Sequence, residues 1–384
     1  MRYLTQSIEA DLIKKMVLLA GPRQTGKTTL AKEVLNARST ATKAGVYLNW
    51  DDSDDRTTIR KKGWSEDATL IVLDEIHKYR KWKTWLKGIY DKVGDKQKFL
   101  VTGSARLDVY RRDGDSMFGR YHLWRLHPFC LAERPENLSP INYLERLLER
   151  GGFPEPLLSD DPTAAKRWRR ERRDLILRED VRDLESVRDI TSLSILLDEL
   201  LERVGGPVVI SHLANDLDVA HKTIVHWIDI LAKMYLIFPV LPYARSLPRA
   251  MKKPPKIFFY DYGEINASNI GAKFENLVAQ HLLKRLQFLE DSQGDRYDLR
   301  YLRDKEGHEV DFLILKNQKP IALIEAKWTD DEPHSALNYF GDRLDVSMRI
   351  QVVGLLKNRT VRQGIQIVPA SEWLAQPLDQ SIFN

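Results

Sequence analysis

Three groups of residues have the types and spacing to do chemistry. The first is Gly21-Pro22-Arg23-Gln24-Thr25-Gly26-Lys27-Thr28, followed by Thr29. It has the form G-x-x-x-x-G-K-[ST], in which glycines let main-chain N–H groups wrap a triphosphate at a helix N-terminus. Residues 21–29 are therefore the expected ATP contact, with Lys27 reaching the β- and γ-phosphates and the Thr28 hydroxyl ligating Mg²⁺. The second group is Asp74-Glu75, which ends the apolar run Leu70-Ile71-Val72-Leu73. Asp74 is expected to hold Mg²⁺ through a water and Glu75 to orient or deprotonate the attacking water. Capping of the next helix is the plainer role for the same pair. The third group is Glu275, Asp311, Glu325 and Lys327. Carboxylates that meet at one point suit Mg²⁺ or Mn²⁺, and a lysine beside them can activate water or neutralise a phosphate. Ordinary salt bridges at a sheet edge are the alternative.

Further polar residues fall near the first two groups. Phe99-Leu100-Val101-Thr102-Gly103-Ser104 reads as a strand ending in small polar residues. Thr102 or Ser104 is placed to sense the γ-phosphate, or else to cap a helix. Arg106, Arg111, Arg112 and Arg120 follow, and Arg120 is the expected arginine finger acting on a neighbouring subunit.

The elements that must position these groups are legible in the apolar pattern. Short apolar strands at Met16–Ala20, Val46–Asn49, Leu70–Leu73 and Phe99–Thr102 alternate with helical stretches, so residues 1–135 read as an α/β layered domain. Residues 136–190 read as a charged helical linker broken by Gly151-Gly152-Phe153-Pro154. Residues 191–262 read as a small helical module with a strand pair, and residues 263–384 return to α/β. There, Glu275 lies on a helix expected over Ala272–Leu286. Asp311 lies on a strand over Glu309–Leu315, and Glu325 and Lys327 share one face of a strand over Ile321–Trp328.

In the third region, Ile210–Val219 and Ala220–Leu236 read as two helices joined by a tight turn, followed by strands Leu236–Leu241 and Lys256–Asp261. This is the layout of a winged helix. Lys222 and Thr223 on the second helix, and Arg245, Arg249, Lys252 and Lys253 between the strands, are the expected contacts to DNA; Lys256 closes the same basic loop, which can lie along phosphates. The run Lys166–Arg173 offers a further backbone contact, or simply a solvated helix face.

Composition sets the outer bounds. The chain has 384 residues, 43% apolar and 30% charged, enough for more than one core. The net charge of +5 is mild, so where the charges lie matters more than their sum. Cys130 is the sole cysteine, which excludes an internal disulfide and points to a reducing compartment. No run approaches the roughly 20 apolar residues of a spanning helix, and the N-terminus has no signal-peptide core. A cytoplasmic protein without membrane attachment is expected.

The order of P-loop, Leu73-Asp74-Glu75, Thr102-Gly103-Ser104, Gly119-Arg120 and Gly151-Gly152-Phe153-Pro154 resembles a prokaryotic family of AAA+ ATPases with a nuclease-like C-terminal domain. No Asn stands at the usual sensor position on the Phe99–Thr102 strand. The resemblance implies a homo-oligomer, a hexameric ring among its forms, with ATP at subunit interfaces. The C-terminal group resembles the PD-(D/E)xK nucleases. That likeness implies Asp311 and Glu325 as ligands of a second metal, Lys327 as catalytic lysine and Glu275 as the helix acid. The expected fold is thus an AAA+ P-loop parallel sheet, a winged-helix module and an α/β nuclease-like domain. The expected function is ATP-driven translocation or remodelling of branched, broken or duplex DNA, such as branch migration. An ATP-regulated, Mg²⁺-dependent nuclease and a nucleotide-dependent signalling switch with protein partners are the rivals.

Overall fold

The structure, a computed structural model, describes residues 2–39, 45–103, 117–181, 189–244, 253–379 and 383. Ser104, Arg106, Arg111, Arg112, Arg245, Arg249 and Lys252 lie outside these residues. The chain divides into two compact units, Met1–His127 and Pro128–Asn384.

Unit 1 is built on five strands, β1 (Met16–Ala20), β2 (Gly45–Asn49), β3 (Leu70–Asp74), β4 (Lys98–Thr102) and β5 (Tyr121–Arg125). All pair in parallel, in the order β5-β1-β4-β3-β2. β1 and β3 are buried along their whole length, which is why they read as unbroken apolar runs rather than alternating ones. Helices α1 (Thr5–Lys14), α2 (Lys27–Arg38), α3 (Ser53–Lys61) and α4 (Trp82–Val93) accompany the sheet. Leu18, Ile71, Phe99 and Val101 of the strands pack with Leu86 and Ile89 of α4 in one core. Because the strands run the same way, the ends of β1, β3 and β4 open onto one rim, where ligands sit in sheets of this kind.

Unit 2 opens with α5 (Pro140–Arg150), α6 (Pro154–Leu158) and α7 (Pro162–Leu175). The Gly-Gly-Phe-Pro stretch is a packing joint between α5 and α6. Phe153 is buried beneath the Arg172 guanidinium, 4.1 Å from its ring, and beside Trp168. The cationic run on α7 therefore divides by helical periodicity. Arg172 is buried, Arg169 pairs with Asp261 at 3.3 Å and Arg173 with Asp198 at 2.6 Å, while Lys166, Arg167 and Arg170 face solvent.

Next come α8 (Ile190–Glu202), α9 (Ile210–Asp216), α10 (His221–Lys233) and the antiparallel pair β6 (Ile237–Pro242) and β7 (Lys256–Phe259). The rest is α11 (Ile270–Gln293), β8 (Tyr297–Arg303), β9 (Glu309–Lys316), β10 (Lys319–Lys327), α12 (Ser335–Leu344), β11 (Arg349–Val353), β12 (Thr360–Arg362), β13 (Ile365–Pro369) and α13 (Ala370–Trp373). Eight strands form one mixed sheet, β12-β13-β11-β10-β9-β8-β6-β7. β6 pairs with β8, so the sheet runs through the point between residues 262 and 263. β9 and β10 form a hairpin whose turn residues Asn317 and Gln318 both have positive φ, 49° and 69°, as a tight two-residue turn requires. Among the described residues no helix is long and apolar enough to cross a membrane.

α11 is buried around most of its circumference, including Asn276, Gln280, His281, Lys284 and Arg285. Several of its polar side chains bond the main chain of the segments laid against it. Asn276 bonds both backbone groups of Phe259, Lys284 donates to the Pro128 carbonyl at 2.8 Å, and Leu131 N–H donates to His281 Nε2 at 3.0 Å. His281 Nδ1 lies 2.8 Å from the Leu277 carbonyl, so the ring donates on one side, accepts on the other and is neutral. Burial lowers its pKa to about 3. The unfolded chain takes up this proton as pH falls through the ordinary histidine range, whereas the folded chain does not. Stability is therefore lost as pH drops below about 6.5, with a slope near 1.4 kcal/mol per pH unit for one proton. We expect His281→Gln to be the less stable protein at pH 7.5 but to have a shallower loss of urea stability between pH 6 and pH 4.5, readable from denaturation midpoints.

Candidate functional sites

The first site forms where β1 gives way to α2. Gly21 has φ +146°, and a Cβ there would sit 2.2 Å from the Leu126 carbonyl oxygen. Gly26 has φ +90° at the N-terminus of α2. The first position has no room for a side chain, and the second adopts a backbone favoured by glycine. The Thr25 hydroxyl donates to the Pro22 carbonyl at 2.9 Å, closing the loop on itself. Lys27 Nζ donates to the carbonyls of Gly21 and Pro22 at 3.0 and 2.7 Å. Pro22 is buried, Arg23 half-buried, and Gln24 and Thr29 exposed.

Asp74, only 2% exposed, stands at the end of β3. Its carboxylate accepts from the Thr28 hydroxyl at 2.7 Å, from the Tyr47 hydroxyl at 2.6 Å and from the Thr102 hydroxyl. Thr102 thus lies against the acid. Burial, and then the Asp74 carboxylate, push the Tyr47 hydroxyl well above the ordinary phenol range, which keeps it a donor. Glu75 follows with φ 54°, a left-handed conformation unusual for a side-chain-bearing residue. Its carboxylate lies 3.6 Å from His77 Nε2 and 3.9 Å from Lys78 Nζ. Burial raises its pKa above the ordinary carboxylate value, against the lowering pull of Lys27 and Lys78.

Arg120 lies elsewhere on the unit. It precedes β5, whose first residue pairs with the first residue of β1, whereas the P-loop follows the last. The separation along the sheet is about 13 Å at 3.3 Å per residue. Its guanidinium donates to Asp91 at 2.6 and 3.1 Å. The N-terminal segment supplies residues that sequence patterning does not single out. Arg2 donates to the carbonyls of Thr25 and His127 at 2.9 and 2.5 Å, and Tyr3 to the Arg125 carbonyl at 2.5 Å.

In unit 2 the four expected residues do converge. β9 and β10 run in a register that sets Ile324 opposite Phe312, so Asp311 and Glu325 are neighbours across the strands. Asp311 N–H donates to Glu325 at 3.2 Å, Ala326 N–H donates to Asp311 at 3.1 Å, and Lys327 pairs with Glu325 at 2.8 Å. Two further residues complete the cluster. Lys256 Nζ lies 3.0 Å from Glu275, 2.7 Å from Glu309 and 3.1 Å from Asp311. Lys256, grouped by sequence with the phosphate-facing wing, is instead 1% exposed and turned inward. Its position at the start of β7 places it in the sheet rather than in the loop before it. Glu309 could have been found from sequence, since it is two residues from Asp311 on a strand and shares its face.

Burial and the nearby Asp311 push Glu275 well above the ordinary carboxylate range, and the same two causes raise Glu325 to about 8. Burial opposes the charge of Lys256, yet Asp311, Glu275 and Glu309 raise its pKa well above the ordinary lysine value. Of the expected DNA contacts within the described residues, Lys222 and Lys253 are exposed and Thr223 half-buried.

Fold and site together define unit 1 as an α/β module with the parallel sheet of AAA+ P-loop ATPases. A family model described as an AAA domain matches residues 13–134, and two described as domains of unknown function, DUF8612 and DUF4143, match 141–273 and 270–373. Similar proteins include an uncharacterized protein of Methanocaldococcus jannaschii, 23% identical over 353 residues that cover 84% of this chain and 77% of its own. Another, from Mycobacterium tuberculosis, is 23% identical over 320 residues, 79% of this chain and 68% of its own. Among solved structures, the Aeropyrum pernix Orc1 protein in complex with DNA aligns with a TM-score of 0.35 and 14% identity, covering 73% of this chain and 93% of that one. The Thermotoga maritima RuvB Holliday junction branch migration motor aligns with a TM-score of 0.30 and 17% identity, covering 64% and 87%.

The contact of Gly21 with the Leu126 carbonyl gives a direct test. Gly21→Ala must displace main chain, and overpacking of this kind costs about 1–3 kcal/mol. We expect a lower urea midpoint and at least a tenfold weaker titration with a fluorescent ATP analogue, tenfold corresponding to about 1.4 kcal/mol.

Proposed function

We propose that this protein is a Mg²⁺-dependent ATPase whose turnover is coupled to DNA held by residues 128–384. The observation that carries the nucleotide part is the hydrogen bond of Thr28 to Asp74 at 2.7 Å. It joins the end of the P-loop to the acid of β3. A hydroxyl and a buried carboxylate side by side are the donor set that Mg²⁺ takes in P-loop sites. Thr28 and Asp74 would hold the ion, which would neutralise phosphate charge. The N–H groups at the start of α2 face the phosphates. Lys27 exchanges the carbonyls of Gly21 and Pro22 for phosphate oxygens. Glu75 adjoins Asp74 and accepts a proton from the attacking water, a role its raised pKa favours. Arg120, on the far end of the sheet from its own P-loop, serves the nucleotide of a neighbouring copy in an oligomer. The DNA part is supported by exposed cations on α10 and before β7, Lys222 and Lys253, which neutralise phosphates without reading bases.

Glu75→Gln is expected to bind ATP within about threefold of the parent yet to hydrolyse it roughly a hundredfold more slowly, the scale on which a lost general base acts. Normal turnover in that variant would remove Glu75 from the mechanism. Steady-state ATPase assays with linear, single-stranded and four-way-junction DNA side by side test the coupling. At least one should raise turnover severalfold. Turnover indifferent to all three would leave an ATPase without a DNA partner and favour a protein-binding switch.

A further inference from the structure

The nuclease resemblance implies a divalent ion between Asp311 and Glu325, and the donor set around them does not fit one. The oxygens of the two implied ligands are shared between main-chain N–H donors and two ammonium groups of the chain. Asp311 Oδ1 meets Lys256 Nζ at 3.1 Å and Oδ2 accepts from Ala326 N–H at 3.1 Å. Glu325 Oε1 meets Lys327 at 2.8 Å and Oε2 accepts from Asp311 N–H at 3.2 Å. The cation at the centre belongs to the chain itself. Lys256 Nζ has Glu275, Glu309 and Asp311 at 3.0, 2.7 and 3.1 Å, one carboxylate for each of the three N–H donors an ammonium carries.

We infer that the Lys256 ammonium is the resident cation of this carboxylate cluster and that it closes the site to divalent metal. Among the described residues, the group of three ligand-bearing side chains that closes to within 4.8 Å is Asp304, Glu306 and His308, in the turn that leads into Glu309. That group is a hairpin loop satisfied internally, since Asp304 accepts from the backbone of Glu306 and His308 and its carboxylate contacts the His308 ring. A metal entering the Asp311 cluster would have to displace a like charge that is 1% exposed and held by three acids. The lysine also comes from β7, outside the E-x-K strand. A chain with intact Asp311, Glu325 and Lys327 can therefore have lost the metal through a residue that no such pattern includes. Metal-dependent phosphodiester cleavage at this cluster is then closed to unit 2. This inference is independent of the nucleotide site.

Mn²⁺ titration of the nucleotide-free full chain, followed by the loss of the free-ion EPR signal, tests it. Wild type and Asp311→Asn should bind Mn²⁺ alike. Lys256→Met should gain one ion per chain, and the gain should vanish in Lys256→Met/Asp311→Asn. A wild-type ion that disappears in Asp311→Asn, or a folded Lys256→Met protein that gains none, overturns the inference. If Lys256→Met does not fold, the comparison of wild type with Asp311→Asn decides alone. Mn²⁺-dependent nicking of supercoiled plasmid that requires Asp311 would overturn it equally.

Discussion

The Asp74 carboxylate is the point at which unit 1 is tied together on its functional rim. Its three hydroxyl donors arrive from three directions: Thr28 from the helix after β1, Tyr47 from β2 and Thr102 from β4. With Asp74 itself on β3, one buried acid ties together β2, β3, β4 and the helix that follows β1. A buried carboxylate is tolerated only when its oxygens are bonded, so the requirement works in both directions. The acid needs the hydroxyls, and their placement holds the P-loop against β3. The parallel sheet makes this possible because all four chain segments reach the rim at the same end.

How much of this was legible in the sequence depended on how local the constraint is. The P-loop was legible because its glycines and lysine act within eight consecutive residues, and the buried strand before Asp74 because burial on both faces leaves an apolar run. The β9–β10 hairpin was legible for a similar reason, because its buried strands leave apolar runs on either side of a short polar turn. Tyr47 was not, because an aromatic residue on a strand is ordinary and its partner lies 27 residues away. Nor was Arg2, whose partners are main-chain carbonyls at positions 25 and 127 and leave no trace in side-chain pattern.

Lys256 is the case where the pattern pointed the wrong way. It follows a cationic stretch, and composition alone assigns it to that stretch. Its burial is decided by strand pairing, because β7 lies beside β6 and the side chain turns toward Glu275, Glu309 and Asp311 rather than toward solvent. The three acids of the nuclease-like group and their lysine are all present, yet their meaning changes with one cation from outside the motif. A motif records which residues converge; it does not record what already occupies the point of convergence.

The same distinction bears on the P-loop. Its first glycine abuts the Leu126 carbonyl, Leu126 N–H donates to Ala20, and Arg2 spans from Thr25 to His127. The segment by which the chain leaves unit 1 is thus bonded directly to the loop that would cradle phosphate. Packed interiors and hydrogen-bonded loops do not deform continuously. A shift of the P-loop must therefore either carry residues 125–127 with it or break these bonds. That bonded route from P-loop to chain exit is a feature of the fold, independent of what the rest of the chain holds.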